Sequence, residues 1–412
     1  MSDAIVGLDI GTSFVRAVLG EFTEENKLEI TGVGKIPSKG IRNGVIVNLE
    51  ATQQAVTEAV QAAEMMSGHE INSVVTGIGG AQIESQNSRG IVAVADHGKG
   101  TREITADDVS RVMEAARAVP VPPDRQVLHV VPQTYTIDGQ PGIKDPINEI
   151  GVRLEADVHI VTAAVTTMQN MIRCIGRAGF GVDGVMLKTL ASAIAVTTEE
   201  ERELGSILID MGGGATDALV MIDGAPICTE SIPIGGNLVT NDISIIKSVS
   251  FEIAEKVKLN SGCCSPELID PNESEVIIPG IGGRAPSTMP RQELCDIIRP
   301  RIVETFVTLR DKLAVSVQGR QLMGNVILIG GGSLLPGVVD VASEVFGTRA
   351  VRLGMPGNFG GLQDEYRNPE FATAVGLVVS NQDKRRSEVL KNETSKKKHS
   401  FSKLKGFFKE FF

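Results

Sequence analysis

The sequence predicts an α/β fold made of two similar halves around a cleft, and three observations carry that prediction. Strand-like and helix-like segments alternate along the body of the chain. A strand, a D-x-G turn and a return strand occur twice, as DIGTSFVRAVLG from Asp9 and as DMGGGATDALVMIDG from Asp210. Each copy is followed later by a strand ending in glycines, TGIGG at 76–80 and IGGG at 329–332. One pattern repeated in 412 residues, a length too great for one ordinary core, predicts a duplicated lobe.

From the N-terminus, IVGLDIG, FVRAVLGEF and LEITGVGKI read as strands. VNLEATQQAVTEAVQAAEMMS has apolar residues at helical spacing, and INSVVTGIGG returns to a strand; residues 1–85 form the first part of the first lobe. Residues 86–163 interrupt it and predict an inserted small subdomain. Its helix, within TREITADDVSRVMEAARAV, opens on Thr105 and Asp108, a capping box with Asp in place of Glu or Gln, and RLEADVHIVTAA is a strand. The first lobe resumes over 164–200. SILIDMGGG, ATDALVMIDG and APICTESIPIGG open the second lobe at 201–230, and 231–310 form its small subdomain. NVILIGGGS and the helix pattern LLPGVVDVASEVFG lie in 311–380, which completes the second lobe and returns to the first. Residues 381–398 have the composition of a disordered linker, and 399–412 the pattern of an amphipathic helix.

An apolar share of 42% with 22% charged residues is that of a globular protein. No stretch approaches 18 uninterrupted apolar residues, and MSDAIVGLDIG has no basic region before an apolar run, so neither a membrane span nor a signal peptide is expected. Five cysteines (Cys174, Cys228, Cys263, Cys264 and Cys295) with no CxxC pair argue against a disulfide framework or structural zinc and for a reducing cytoplasm. The net charge of −11 is uneven: residues 384–412 carry ten Lys or Arg against three Glu, net +7, and the rest 30 against 48, net −18. Such a body repels nucleic acid, while the tail seeks another anionic partner.

A D-x-G turn lets backbone N–H groups approach a phosphate with no side chain in the way. Gly11, Thr12 and Ser13 supply donors in the first hairpin, and Gly212, Gly213, Gly214 and Thr216 in the second. Asp9 and Asp210 are then placed to hold a hydrated Mg2+, which takes few carboxylates. A third glycine run, with Gly331, Gly332 and Ser333 before a helix, completes a nucleotide cleft.

DIGTS, LASAIAV (190–196), DMGGGATD, LIGGGSLLPG and EFATAVGLV (370–378) resemble the five signatures of the actin-like ATPase superfamily. The resemblance implies two RNase H-like lobes binding ATP and Mg2+, with the third glycine run under the adenosine and Glu255 and Lys258 of AEKVKLNSG at the adenine and ribose. ERELGSILIDMGGGATD, PIGGNLVTNDI, IIPGIGGRAP and VLHVVPQTYTIDGQPGIKDPI with GVRLEADVHIVT narrow it: over nearly its whole length the chain resembles the FtsA family of bacterial cell-division proteins. That implies three actin-like subdomains and an inserted fourth, self-assembly, tethering of FtsZ filaments to the cytoplasmic membrane at the septum, and recruitment of later division proteins. It also places the FtsZ C-terminal peptide site in GGRAPSTMPRQELCDIIRPRIVETF (282–306), with Arg301 at the family's Pro-Arg position and Arg291 a second basic candidate. Arg299, where the family often has an acid, makes that helix more basic.

Hydrolysis needs a group that orients or deprotonates water. Relatives with robust turnover carry an acid or Gln near the start of the first connecting helix, but VMLKTLASAIAV offers Lys188 and Thr189, so ATP binding with slow or negligible turnover is expected. Two alternatives share the fold: a type IV pilus assembly scaffold, and an enzyme such as a sugar kinase or polyphosphate phosphatase. Neither uses the closing FSKLKGFFKEFF, which holds five of the 13 phenylalanines. As a helix it gathers Phe401, Leu404, Phe407, Phe408, Phe411 and Phe412 in an arc of roughly 140°, flanked by Lys403 and Lys405, a pattern suited to binding lipid at the bilayer interface.

Overall fold

The computed structural model describes residues 4–23, 25, 27–94, 100–271, 275–279, 285–317, 324–357 and 359–381. The expected linker beyond 381 and the helix at 399–412 lie outside the described residues.

Among the described residues the first lobe is built on a six-stranded sheet in the order Gly181–Leu187, Ser73–Ile78, Ile5–Ile10, Phe14–Phe22, Leu28–Pro37, Gly360–Gly361. Ile5–Ile10 is buried along its whole length, as a central strand covered on both faces must be. The helix Leu49–Ser67 begins two residues after the sequence pattern does, because the Asn48 side chain accepts from the Ala51 N–H and fixes the start there. It lies so close to Leu28–Pro37 that a Cβ on Gly34 would stand 1.9 Å from the Ala59 carbonyl oxygen.

The second lobe repeats the plan with five strands in the order Ala225–Ile232, Thr216–Ile222, Ser206–Met211, Asn325–Ile329, Val351–Leu353. In both lobes an antiparallel hairpin is followed by a parallel strand on its opening edge. The two turns close with the same bond: the Gly11 N–H donates to the Phe14 carbonyl and the Gly212 N–H to the Ala215 carbonyl, each at 3.0 Å. A helix, 372–381, carries Ala372, Ala374, Val375, Leu377 and Val378 into the first lobe's core.

Between the strands of the first lobe stands an antiparallel sheet ordered Gln140–Ile143, Arg125–Ile137, Arg153–Ala164, Ile83–Ala93, roofed by the helix Ala106–Arg117. Val109, Val112 and Ala116 of that helix pack on Leu154, Ala156, Val158 and Ile160 in a separate core. The Thr105 N–H donates to Asp108 Oδ2 at 3.0 Å, and the Arg102 guanidinium holds the Asp108 carboxyl well below the usual range.

This insert docks on strand Ala225–Ile232 of the second lobe through a polar seam. Asn87 Nδ2 donates to the Ile227 carbonyl at 3.0 Å, Gln133 Nε2 to the Pro226 carbonyl at 2.8 Å, and His159 Nε2 lies 3.0 Å from Thr229 Oγ1. Burial, with His129 nearby, pushes the His159 imidazole from 6.5 down to about 4. An unfolded chain binds this proton near 6.5 and the folded one only near 4, so stability falls as the pH drops through that window. The loss reaches roughly 3 kcal/mol at its lower end. Urea midpoints measured from pH 7 to pH 4 are expected to fall more steeply for the wild type than for His159→Gln, whose amide stays neutral. Parallel curves would remove His159 from the acid response.

Candidate nucleotide cleft

The glycine hairpins of the two lobes meet across a cleft of about 460 Å³. The approach is close: a Cβ on Gly213 would stand 2.2 Å from Ser13 Oγ, and one on Gly214 would stand 2.9 Å from Thr12 Oγ1. Gly11, Thr12, Ser13, Gly212, Gly213 and Gly214 thus converge from opposite lobes; the Gly11 and Gly212 N–H groups close their own turns, so the backbone donors expected of them fall instead to Thr12, Ser13, Gly213 and Gly214. Thr216 borders the cleft, but its hydroxyl donates to the Ile234 carbonyl at 2.7 Å and is spent on its own lobe.

Val239, Leu259, Ile302 and Leu335 give the other end an apolar wall suited to a base. Glu255 and Lys258 line it too, and they are paired: Lys258 Nζ lies 2.7 Å from Glu255 Oε2 and donates to Thr240 Oγ1 at 2.9 Å. Gly331 and Gly332 form the floor. Ser333 corrects the sequence expectation: it is buried outside the cleft lining, and its hydroxyl donates to the Gly330 carbonyl at 2.7 Å. It shapes the glycine turn from behind. Gly330 has φ 80°, and a Cβ there would strike Asp210 Oδ1 at 2.3 Å, so the turn needs glycine on both counts.

Asp9 and Asp210 occupy matching places, and their cross-strand partners are Arg16 and Asp217. Asp9 Oδ1 forms an ion pair with Lys188 Nζ at 2.7 Å, at an angle that falls short of a hydrogen bond, and its Oδ2 is 3.9 Å from Arg16. Burial and the neighbouring Asp217 and Asp9 carboxylates push the Asp210 carboxyl up to about 7. Both oxygens of Asp217 accept from the Gly80 N–H of the first lobe, at 3.1 and 3.0 Å, and so latch the lobes together. Among the described residues no group of three or more His, Cys, Asp or Glu side chains could hold a metal unaided. The donor set fits an ion that arrives on phosphates, with Asp210, crowded by carboxylates, gaining most from it.

Sequence reasoning passed over Asp217, Arg16, Lys35 and Glu370. Glu370 receives Arg16 at 2.5 Å and Lys35 at 2.7 Å beside the cleft. The signal for Asp217 and Arg16 was available, because residues directly opposite in a hairpin share a face.

The helix Arg291–Ser316 carries the other candidates. Arg301 lies in a groove with Asp242, Ile245, Ile246, Glu293, Asp296, Ile297, Pro300 and Glu304, whereas Arg291 does not line it and donates to the Ser261 carbonyl at 3.0 Å. Arg301 forks onto Asp242 at 2.7 and 3.0 Å and also pairs with Glu304; Arg299 pairs with Glu344 at 2.6 Å. The surface around Arg301 is therefore acidic and apolar, not the basic face that the arginine count predicted. Of the membrane-facing candidates Phe401, Lys403, Leu404, Lys405, Phe407, Phe408, Phe411 and Phe412, all fall outside the described residues.

Known proteins resolve the family. The model for "Cell division protein FtsA" matches residues 207–376, and that for the SHS2 domain inserted in FtsA matches 80–162. The cell division protein FtsA of Borreliella burgdorferi strain B31 is 42% identical over 412 residues, covering 99% of each chain. This chain belongs to the FtsA family. Its role is therefore in cell division, and the FtsA of Pseudomonas aeruginosa PAO1 supports the same placement at 43% identity over 91% of this chain and 88% of that one. The FtsA fold is actin-like. A PilM-PilN type IV pilus biogenesis complex aligns at a TM-score of 0.65 and 18% identity, covering 91% of this chain and 97% of that one. MreB5 of Spiroplasma citri bound to ADP aligns at 0.50 and 13%, covering 95% and 98%. The pilus protein, close in fold but far in sequence, leaves the FtsA assignment standing, because the FtsA relatives share over twice its identity along most of the chain.

Proposed function

We propose that this FtsA-family chain is an ATP-binding scaffold that self-assembles, attaches to the cytoplasmic membrane through its C-terminal segment, tethers FtsZ filaments there and recruits later division proteins to the septum. The observation that carries the nucleotide part is the meeting of two glycine hairpins from opposite lobes over one cleft. ATP between them bridges the lobes and shifts the population toward a closed, polymerising form. Asp9 and Asp210 would hold a hydrated Mg2+ carried by the nucleotide, and the ion would supply counter-charge to the phosphates. With Lys188 and not an acid at the start of the connecting helix, turnover is at most weak.

The FtsZ C-terminal peptide is assigned to the groove between the helices Gly236–Lys247 and Arg291–Ser316. Ile245 and Ile246 are 67% and 58% exposed there, an apolar surface ringed by acids and suited to a peptide with apolar side chains and a basic group. Ile245→Glu with Ile246→Glu is expected to weaken peptide binding about tenfold or more, since each large apolar side chain covered is worth roughly 1.5–3 kcal/mol. ATP affinity and melting temperature are expected to stay unchanged. Calorimetry showing equal peptide affinity for both proteins would move the site elsewhere.

A further inference from the structure

Three carboxylates, Asp9, Asp210 and Asp217, crowd the phosphate end of the cleft. The other cations in its lining have partners of their own: Arg16 and Lys35 meet Glu370, and Lys258 meets Glu255. Arg16 reaches Asp9 only at 3.9 Å, so Lys188, at 2.7 Å, is the cation in closest contact with the carboxylate cluster, and its place is built. Its stem runs through a slot kept open by two glycines: a Cβ on Gly77 would stand 2.9 Å from Lys188 Cγ, and one on Gly79 would stand 3.3 Å from its Cδ. The side chain is 15% exposed. Nζ donates to the Ile10 carbonyl at 2.8 Å and lies 2.7 Å from Asp9 Oδ1, at the root of the first phosphate hairpin. Lys188 is also the first residue of the helix Lys188–Val196, where a cation opposes the helix dipole; helix stability therefore does not explain it.

An ammonium has three N–H groups. One donates to Ile10, and Asp9 lies beside the ammonium without accepting a hydrogen bond, so Nζ keeps donor capacity for a ligand in the cleft. We propose that Lys188 is a phosphate-binding residue and the resident cation of this cleft, able to hold a nucleoside triphosphate when divalent ions are withdrawn. The proposal rests on the nucleotide reading above and adds a residue and an ionic requirement to it. Lys188 and a divalent ion share the neutralisation of the phosphates, so removing either makes the protein lean on the other.

The test is titration of the full-length chain with a fluorescent ATP analogue, in Mg2+ and in EDTA. The wild type is expected to retain measurable binding in EDTA. Lys188→Met is expected to lose about tenfold or more in EDTA, the loss of one charge-assisted hydrogen bond, and less in Mg2+. Because Lys188→Met strands the Asp9 carboxylate, Lys188→Gln, which removes the charge but keeps an amide donor on the side chain, carries the same expectation if Lys188→Met fails to fold. Wild-type binding that vanishes in EDTA overturns the proposal, as does a folded variant that binds in EDTA as tightly as the wild type. Failure of the wild type to bind even in Mg2+ overturns the nucleotide reading itself.

Discussion

Gly213→Val is expected to abolish ATP binding, by about a hundredfold or more, in a protein that still folds. The position lies in the second hairpin's turn, facing Ser13 Oγ at 2.2 Å from any added Cβ and Asn237 Oδ1 at 3.5 Å. A branched side chain there fills the space between the hairpins, where the phosphates must sit if both sets of N–H groups are to reach them. It holds the lobes apart as well, and so removes donors of the first hairpin along with those of the second. Each lost contact to a charged group costs roughly 1.5–3 kcal/mol, and two or more give the stated loss. The fold is spared because the obstructing atoms are side-chain termini at the cleft and neither lobe's core is touched. Equilibrium binding of a fluorescent ATP analogue, with thermal melting as the control for folding, checks this. A folded variant with wild-type affinity would take the phosphates out of the hairpins.

The two glycine hairpins were legible in the sequence because glycine and aspartate at a strand-to-strand turn have few other uses together. Both hairpins, the parallel strands that follow them and one strand of the inserted sheet, Arg153–Ala164, lie where the sequence patterns place them. What stayed hidden depends on which distant side chains meet. Nothing in VMLKTLASAIAV says that Lys188 threads past Gly77 and Gly79 to reach Asp9, because that contact spans two strands and a connecting helix. Arg301 shows the same limit with the opposite sign. Counting arginines along one helix made the surface basic, but Asp242, far off in sequence, lies beneath the guanidinium and reverses the charge. Ser333 shows a local limit: the sequence places it with the third glycine run of the cleft, and the tight turn carries its hydroxyl back onto the Gly330 carbonyl.

Phe408→Glu with Phe411→Glu is expected to bring co-sedimentation with anionic vesicles down to background. In a helix both residues lie in the apolar arc of FSKLKGFFKEFF. Each Phe buried in the interface contributes roughly 1.5–3 kcal/mol, so losing two removes a factor of about a hundred or more from the affinity. Two carboxylates also enter beside lysines that each contribute about 1 kcal/mol near an anionic leaflet. All of these changes act in one direction. Deleting residues 398–412 is expected to have the same effect and to leave the body folded, because the first lobe's core closes on the helix 372–381. Among the described residues no helix is long and apolar enough to cross a membrane. An unrelated amphipathic membrane helix in place of the deleted segment is then expected to restore both sedimentation and division. Continued pelleting of the double variant would mean that the phenylalanines meet something other than the bilayer. Restored sedimentation without restored division would mean that the native segment also touches a protein.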